Sequence, residues 1–190
     1  SADMPAPADA RLRLQPHPTT PCPALDSLWV DLHWLPAGAL ALRYELRGAL
    51  ADLRLPAPSP APAATDGLWR HSCLEAFVGA ATGTAYVECN FSPSGDWACY
   101  AFDAERVRAA ASPAGTPQIT TEGSAHTLTL TATVPRSALA ALPSDAPALL
   151  GLTAVIESTD GSLSYWALAH PRGVPDFHAR AGWTARLPLA

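Results

Sequence analysis

The sequence has no run of basic residues. Its twelve Lys and Arg positions are scattered, and even the pair Arg11–Arg13 is interrupted by a leucine. A nucleic-acid surface and an electrostatic membrane anchor both need concentrated positive charge. The formal charge of −5 and pI near 5.6 argue against both. No apolar stretch approaches the roughly 20 residues that carry a helix across a bilayer. The opening segment, SADMPAPADARLRLQPHP, lacks a basic stretch followed by an apolar one, so it does not read as a signal peptide. A cytoplasmic location is expected, or a periplasmic one if a signal has been removed. None of the four cysteines, Cys22, Cys73, Cys89 and Cys99, forms a C-x-x-C pair. That leaves zinc knuckles and thioredoxin-type redox motifs unsupported. Cys73, Cys89 and Cys99 lie inside strand-like runs and read as small buried hydrophobes. Also missing are a G-x-S-x-G elbow, an H-E-x-x-H pair, a P-loop and a dinucleotide fingerprint.

What is present is apolar material and punctuation. Hydrophobic residues make up 48% of the 190 and charged residues 15%, enough for the core of one domain spanning 1–190. Twenty prolines and twelve glycines divide the chain into short runs with strand character. Such runs fall at 27–35, 39–48, 51–56, 68–79, 85–92, 96–103, 117–122, 126–135, 148–158, 163–170 and 182–189. The run at 126–135 alternates cleanly. Leu128, Leu130, Ala132 and Val134 face the core, and Thr127, Thr129, Thr131 and Thr133 face out. The runs 148–158 and 163–170 form a hairpin across Thr159-Asp160-Gly161. Brief helices are expected at 104–112 and 136–142, and the Pro/Ala-rich stretch at 56–67 reads as a mobile surface loop. The pattern predicts an all-β fold: an antiparallel β-sandwich, jelly-roll or immunoglobulin-like, with one or two short helices.

Parity along each strand sorts the candidate site residues. In 68–79, Leu68, Leu74, Ala76 and Val78 share one side. Trp69, His71, Cys73, Glu75 and Phe77 share the other. In 85–92, Tyr86, Glu88 and Asn90 oppose an apolar set. In 163–170, Trp166 and His170 fall together. A solvated face carries threonine, serine and simple charges, whereas aromatic plates with a few polar groups between them suit a small-molecule pocket. The competing reading is that Trp69 and Phe77 pack under a loop and that Glu75 is a buried structural acid. The candidate ligand-binding set is Trp69, Arg70, His71, Glu75, Tyr86, Glu88, Asn90, Trp97, Trp166 and His170. Within HPRGVPDFH, His170, Asp176 and His178 form an alternative metal-ligand set. In CNFSPSGDWACYAF the centre, Ser92 to Asp96, reads as a hairpin turn, with Gly95 supplying a positive φ.

LWRHSCLEAFVG, YVECNFSPSGDWACYAFD and SYWALAHPRGVPDFH resemble bacterial DOMON-like domains, grouped with type 9 carbohydrate-binding modules. The resemblance covers roughly 68–103 and 150–189, while the first 60 residues match in layout only. It implies a β-sandwich that binds sugar or haem. The sugar-binding relatives hold a glycan end between tryptophans, a role open here to Trp69, Trp97 and Trp166 with Arg70, Glu75, Glu88 and Asn90. The haem-binding relatives use a Met–His pair. The single methionine is Met4, so a His–His pair drawn from His71, His170 and His178 would be the substitute. A non-catalytic carbohydrate- or sugar-derivative-binding module is therefore expected, with no cofactor and no protein partner assigned. The alternatives are a haem-binding domain and a metal-dependent hydrolase using Glu75, Glu88 and His170.

Overall fold

A computed structural model describes residues 10–143 and 147–187; Met4 lies outside them. Twelve strands run along the chain: β1 (Ala10–Pro16), β2 (Leu25–Trp34), β3 (Leu40–Gly48), β4 (Cys73–Ala80), β5 (Tyr86–Phe91), β6 (Trp97–Ala104), β7 (Val107–Arg108), β8 (Gln118–Gly123), β9 (Thr127–Val134), β10 (Ala148–Glu157), β11 (Leu163–Ala167) and β12 (Ala185–Leu187). They join in the order β7-β6-β5-β4-β10-β11-β1-β2-β3-β9-β8, with β12 also beside β10. Strand β1 folds this path into two layers. Its residues 10–14 pair with β2, and its last two, Gln15 and Pro16, pair with β11. The result is the expected antiparallel β-sandwich.

The core between the layers follows the period-2 pattern. Leu28, Val30 and Leu32 of β2, Leu40, Leu42, Tyr44 and Leu46 of β3, and Leu130, Ala132 and Val134 of β9 enter it from one layer. Leu74, Ala76 and Val78 of β4, Val87, Cys89 and Phe91 of β5, and Leu150, Leu152, Ala154 and Ile156 of β10 enter it from the other. The Tyr44 hydroxyl crosses the sandwich and donates to the Glu75 carbonyl at 2.8 Å. Tyr44→Phe keeps the ring and deletes that bond. The expected cost is about 1 kcal/mol, read as a lower urea midpoint at unchanged m.

Several local expectations are corrected. The described residues contain only single 3-10 turns and no α-helix. At 104–112 the chain makes a tight reversal into β7, with Arg106 at φ 59. Residues 68–70 form a 3-10 turn, so β4 begins only at Cys73. Trp166 belongs to the inter-sheet core. It pairs with Ala154, is 3% exposed, and donates its indole N–H to Ser164 Oγ at 2.9 Å. Strand β11 ends at Ala167, so alternation does not carry on to His170 and the two do not share a face.

The Pro/Ala-rich loop is strapped down by backbone bonds. Ser59 N–H donates to Ser94 O at 2.8 Å, Thr65 N–H to Trp97 O at 2.8 Å, and Ala63 N–H to Asp96 Oδ1 at 2.9 Å. It runs beside Trp97 as a parallel bridge at Ala64. Proline cannot donate to a ladder, and the non-proline amides here reach the exposed edge of β6.

Candidate functional site

The two outer faces of the sandwich differ in chemistry. On the β1-β2-β3 side, Arg11, Arg43 and Arg47 interlace with Asp31 and Glu45, with contacts of 2.9 Å for Arg11–Asp31 and 2.8 Å for Arg47–Glu45. This is a solvated charge lattice. On the β4-β5-β6 side lie Phe77, Tyr86, Ala98, Tyr100, Phe102 and Trp183, a second apolar cluster separate from the main core.

Strand register sets the positions on that second face. Glu75 lies opposite Asn90, Phe77 opposite Glu88, Glu88 opposite Tyr100, and Tyr86 opposite Phe102. Glu75 and Glu88 are therefore diagonal neighbours, about 7–8 Å apart across the ladder with their Cβ atoms somewhat closer. Above them opens a cavity of about 360 Å³. Glu75, Phe77, Glu88 and Val155 form its floor. Trp69, Tyr100, Phe102 and Arg108 line one side, and Tyr165, Phe177, His178 and Arg106 the other.

Each wall has an identifiable support. Near the end of the strap at 56–67 stands Asp66, whose Oδ1 accepts the Tyr100 hydroxyl at 2.7 Å. Gly67 follows at φ 78, a conformation that costs a residue with a Cβ. The chain then turns through 68–70 and sets Trp69 edge-on to Tyr100, ring centroids 6.3 Å apart. The Arg108 guanidinium covers Tyr100 at 4.2 Å. The opposite wall is the segment 171–178. Arg106 Nη2 donates to Asp176 Oδ1 at 2.9 Å, and Arg172 bridges Asp176 and Glu105. Trp183 donates its indole N–H to Phe177 O at 2.9 Å.

A hydrogen-bond chain connects this wall to the floor. Arg106 N–H donates to the Tyr86 hydroxyl at 3.0 Å, and that hydroxyl lies 2.7 Å from His178 Nδ1. The Tyr86 O–H is thus free to donate to Nδ1, which makes Nδ1 an acceptor and puts the imidazole proton on Nε2. His178 Nε2 sits 3.4 Å from Glu88 Oε1. Burial, and then Arg106, push the His178 imidazolium down to about 4, so the ring is neutral at ordinary pH.

The floor carboxyls are held in the opposite sense. Glu75 is 2% exposed and Glu88 6%. Burial, with the charge of Glu88 added, raises Glu75 to about 8. Burial raises Glu88 to about 7, against the pull of Asn90, Arg108 and Arg106. Glu75 accepts from Thr153 Oγ1 at 2.9 Å and from the Cys73 thiol at 3.6 Å. Neither donor is a cation, so the carboxyl tends to keep its proton. Asn90 is fully buried on the same face; its amide favours ionised Glu88 by proximity, yet neither amide atom reaches hydrogen-bond geometry.

The structure brings Trp69, Glu75 and Glu88 together around the cavity, with Tyr86 behind His178. Asn90 shares their face without lining the cavity, and the remaining candidates lie elsewhere. Arg70 is exposed at the end of the 68–70 turn. His71 points outward and pairs with Glu157 at 3.1 Å. Trp97 shares the parity of Phe91, away from the cavity, and its backbone pairs with the strap. His170 Nε2 contacts Gln15 O at 2.7 Å and its ring packs on His17. Asp176 and His178 line the cavity and His170 does not. Among the described residues, no three His, Cys, Asp or Glu side chains gather in a metal-binding group. Tyr100, Phe102 and Tyr165 were missed because their strand faces depend on pairing, and Phe177 because it reaches the cavity from a loop. Arg106 and Arg108 were missed because their segment read as helical.

No protein-family model matches the chain, and no curated protein matches it in sequence. Its fold matches a solved one. The crystal structure of a candidate carbohydrate-binding protein from Bacteroides uniformis aligns with a TM-score of 0.65, at 15% identity, over 92% of this chain and 84% of that one. The likeness establishes the shared sandwich fold. Among the described residues, no helix is long and apolar enough to cross a membrane.

Proposed function

We propose that the protein is a non-catalytic binding module of DOMON-like, type 9 carbohydrate-binding-module-like kind, and that it takes a carbohydrate into the cavity above Glu75 and Glu88. One observation carries the reading: aromatic rings and buried carboxyls converge on a single open cavity on one face of the sandwich. Its volume of about 360 Å³ falls inside the usual range for small-molecule sites. Trp69 and Tyr100 offer ring faces and edges to the C–H surface of a sugar. Glu75 and Glu88, partly protonated, both accept from and donate to hydroxyls, while Arg106 and Arg108 add donors at the rim. The name of the solved structural neighbour points the same way.

The test is a glycan array followed by titration calorimetry on the best sugar. Trp69→Ala is expected to weaken binding about tenfold, the worth of one aromatic contact. Haemin is titrated in parallel. No glycan binding, together with a one-to-one Soret shift, would replace this reading with the haem alternative.

A second reading rests on the raised carboxyls. A protonated Glu75 near an ionisable Glu88 is the arrangement a glycosidic general acid and its partner require. Hydrolysis of nitrophenyl glycosides, lost in Glu75→Gln, would favour it. The metal-dependent form of this idea lacks His170, which is held at Gln15 outside the cavity.

A further inference from the structure

Beneath the cavity floor lies a pair of thiols with no part in the reading above. Cys89 on β5 and Cys99 on β6 are directly opposite in the antiparallel ladder. Their Sγ atoms are 2.6 Å apart. Residues facing each other across such a ladder have Cα atoms about 4.5–5.5 Å apart, inside the range a disulfide spans, and the S–S bond itself is about 2.05 Å. The sulfurs therefore need to move only slightly, and the backbone already holds the required separation. The other two thiols are committed elsewhere. Cys73 donates to Glu75, and Cys22 is buried in the main core.

We propose that Cys89 and Cys99 form a dithiol–disulfide couple, oxidised by exchange with a low-molecular-weight disulfide. The two sulfurs differ in access. Cys89 is 1% exposed, whereas Cys99 is half-buried on a strand whose outer neighbour, β7, is two residues long. Cys99 therefore meets the oxidant first. Its thiolate, after losing its proton to solvent, attacks one sulfur of oxidised glutathione. The glutathione S–S bond breaks, one glutathione thiolate leaves, and Cys99 carries a mixed disulfide. Cys89 then attacks Cys99 Sγ and expels the second glutathione thiolate. Two protein thiols lose two electrons and two protons, and one oxidised glutathione becomes two reduced ones. The neighbouring Cys99 thiol, and then burial, hold the Cys89 thiol up, so the second step waits for Cys89 to deprotonate.

The bond would pin the register of the two strands that carry Glu88, Asn90 and Tyr100. In an oxidising compartment the strands would be cross-linked, and in a reducing one the pair would stand as free thiols.

The experiment incubates the reduced, folded protein with oxidised glutathione, quenches with acid and counts thiols after unfolding. The count is expected to fall from four to two, with a mass about 2 Da lower. A protease that cuts after acidic residues cleaves at Glu88 and Asp96, leaving the two cysteines in separate peptides. Those peptides are expected to stay linked until reduced. Cys89→Ser is expected to stop at a glutathione adduct on Cys99, gaining about 305 Da, and Cys99→Ser to gain nothing. Four titratable thiols after oxidation of the wild type, or a link from either cysteine to Cys22 or Cys73, would overturn the proposal. The wild-type result stands whether or not the serine variants fold.

Discussion

Between pH 6.5 and 8.5 the protein is expected to lose thermal stability, on the order of 5 °C in Tm, and Glu75→Gln is expected to remove most of that loss. Ordinary carboxyls titrate near 4.5, but in the folded protein Glu75 and Glu88 titrate near 8 and 7. Above pH 4.5 the folded state therefore holds more protons than the unfolded state. Stability contributed by these groups is complete below that pH and falls as pH rises through 7 to 8. His178 acts in reverse. Its folded value near 4 lies below the ordinary 6.5, so its contribution grows between pH 4 and 6.5 and is constant above. The two effects oppose each other in mildly acidic solution, and only the carboxyls act above pH 6.5.

Glutamine at position 75 retains an acceptor for Thr153 and removes the charge that repels Glu88. Calorimetric scans at pH 6.5, 7.5 and 8.5 on both proteins check the expectation. Parallel declines in the two would show that the floor carboxyls are not its source. The same argument predicts that sugar affinity changes across this window, because the floor exchanges hydroxyl donors for acceptors.

The second large effect is expected at Gly151. A Cβ there would lie 2.2 Å from Trp183 Cδ1 and 2.9 Å from Cγ, and one at Gly79 would lie 2.8 Å from Cζ3 of the same ring. The indole rests flat against these two glycines, 4% exposed and stacked on Phe77 at 5.8 Å. It also holds the cavity wall through Phe177 O. Gly151→Ala forces a rigid, buried ring to move, with an expected cost of about 2–3 kcal/mol. The wall at 171–178 loses its anchor, so ligand affinity should fall together with stability. Gly173→Ala is the control. It lies in that same segment with nothing within 4 Å of the added carbon, and a change below about 0.5 kcal/mol is expected. Equal denaturation midpoints for wild type and Gly151→Ala would refute the glycine platform.

Much of the architecture was legible from alternation alone. Leu128 to Val134 reads as one buried and one threonine-bearing face, and it folds that way because side chains alternate along any strand. The same rule placed Glu75, Tyr86, Glu88 and Asn90 on one face, correctly distinguished from Leu74, Val87 and Phe91. Turn-residue chemistry identified the turn at Ser92 to Asp96, where Gly95 at φ 94 receives what only glycine accepts cheaply.

Alternation fails where a strand stops. Trp69 reached the cavity from a 3-10 turn, and Trp166 went to the core because its partner, Ala154, is inward. The strap from 56 to 67 looked loose because composition cannot show which carbonyls its amides will meet; here they meet Ser94, Asp96 and Trp97.

The sequence by itself determined most of the strands, the two-layer class and one polar face carrying two glutamates; it did not show β1, and the run at 51–56 is a 3-10 turn followed by a single bridge at Leu53. Only the tertiary structure decided that Arg106, Phe177 and His178 close over those glutamates, and that His170 does not. Strand periodicity is a property of neighbouring residues. A cavity is enclosed by groups far apart in the chain, such as Trp69 and Phe177, and its electrostatics depend on which of them exclude water.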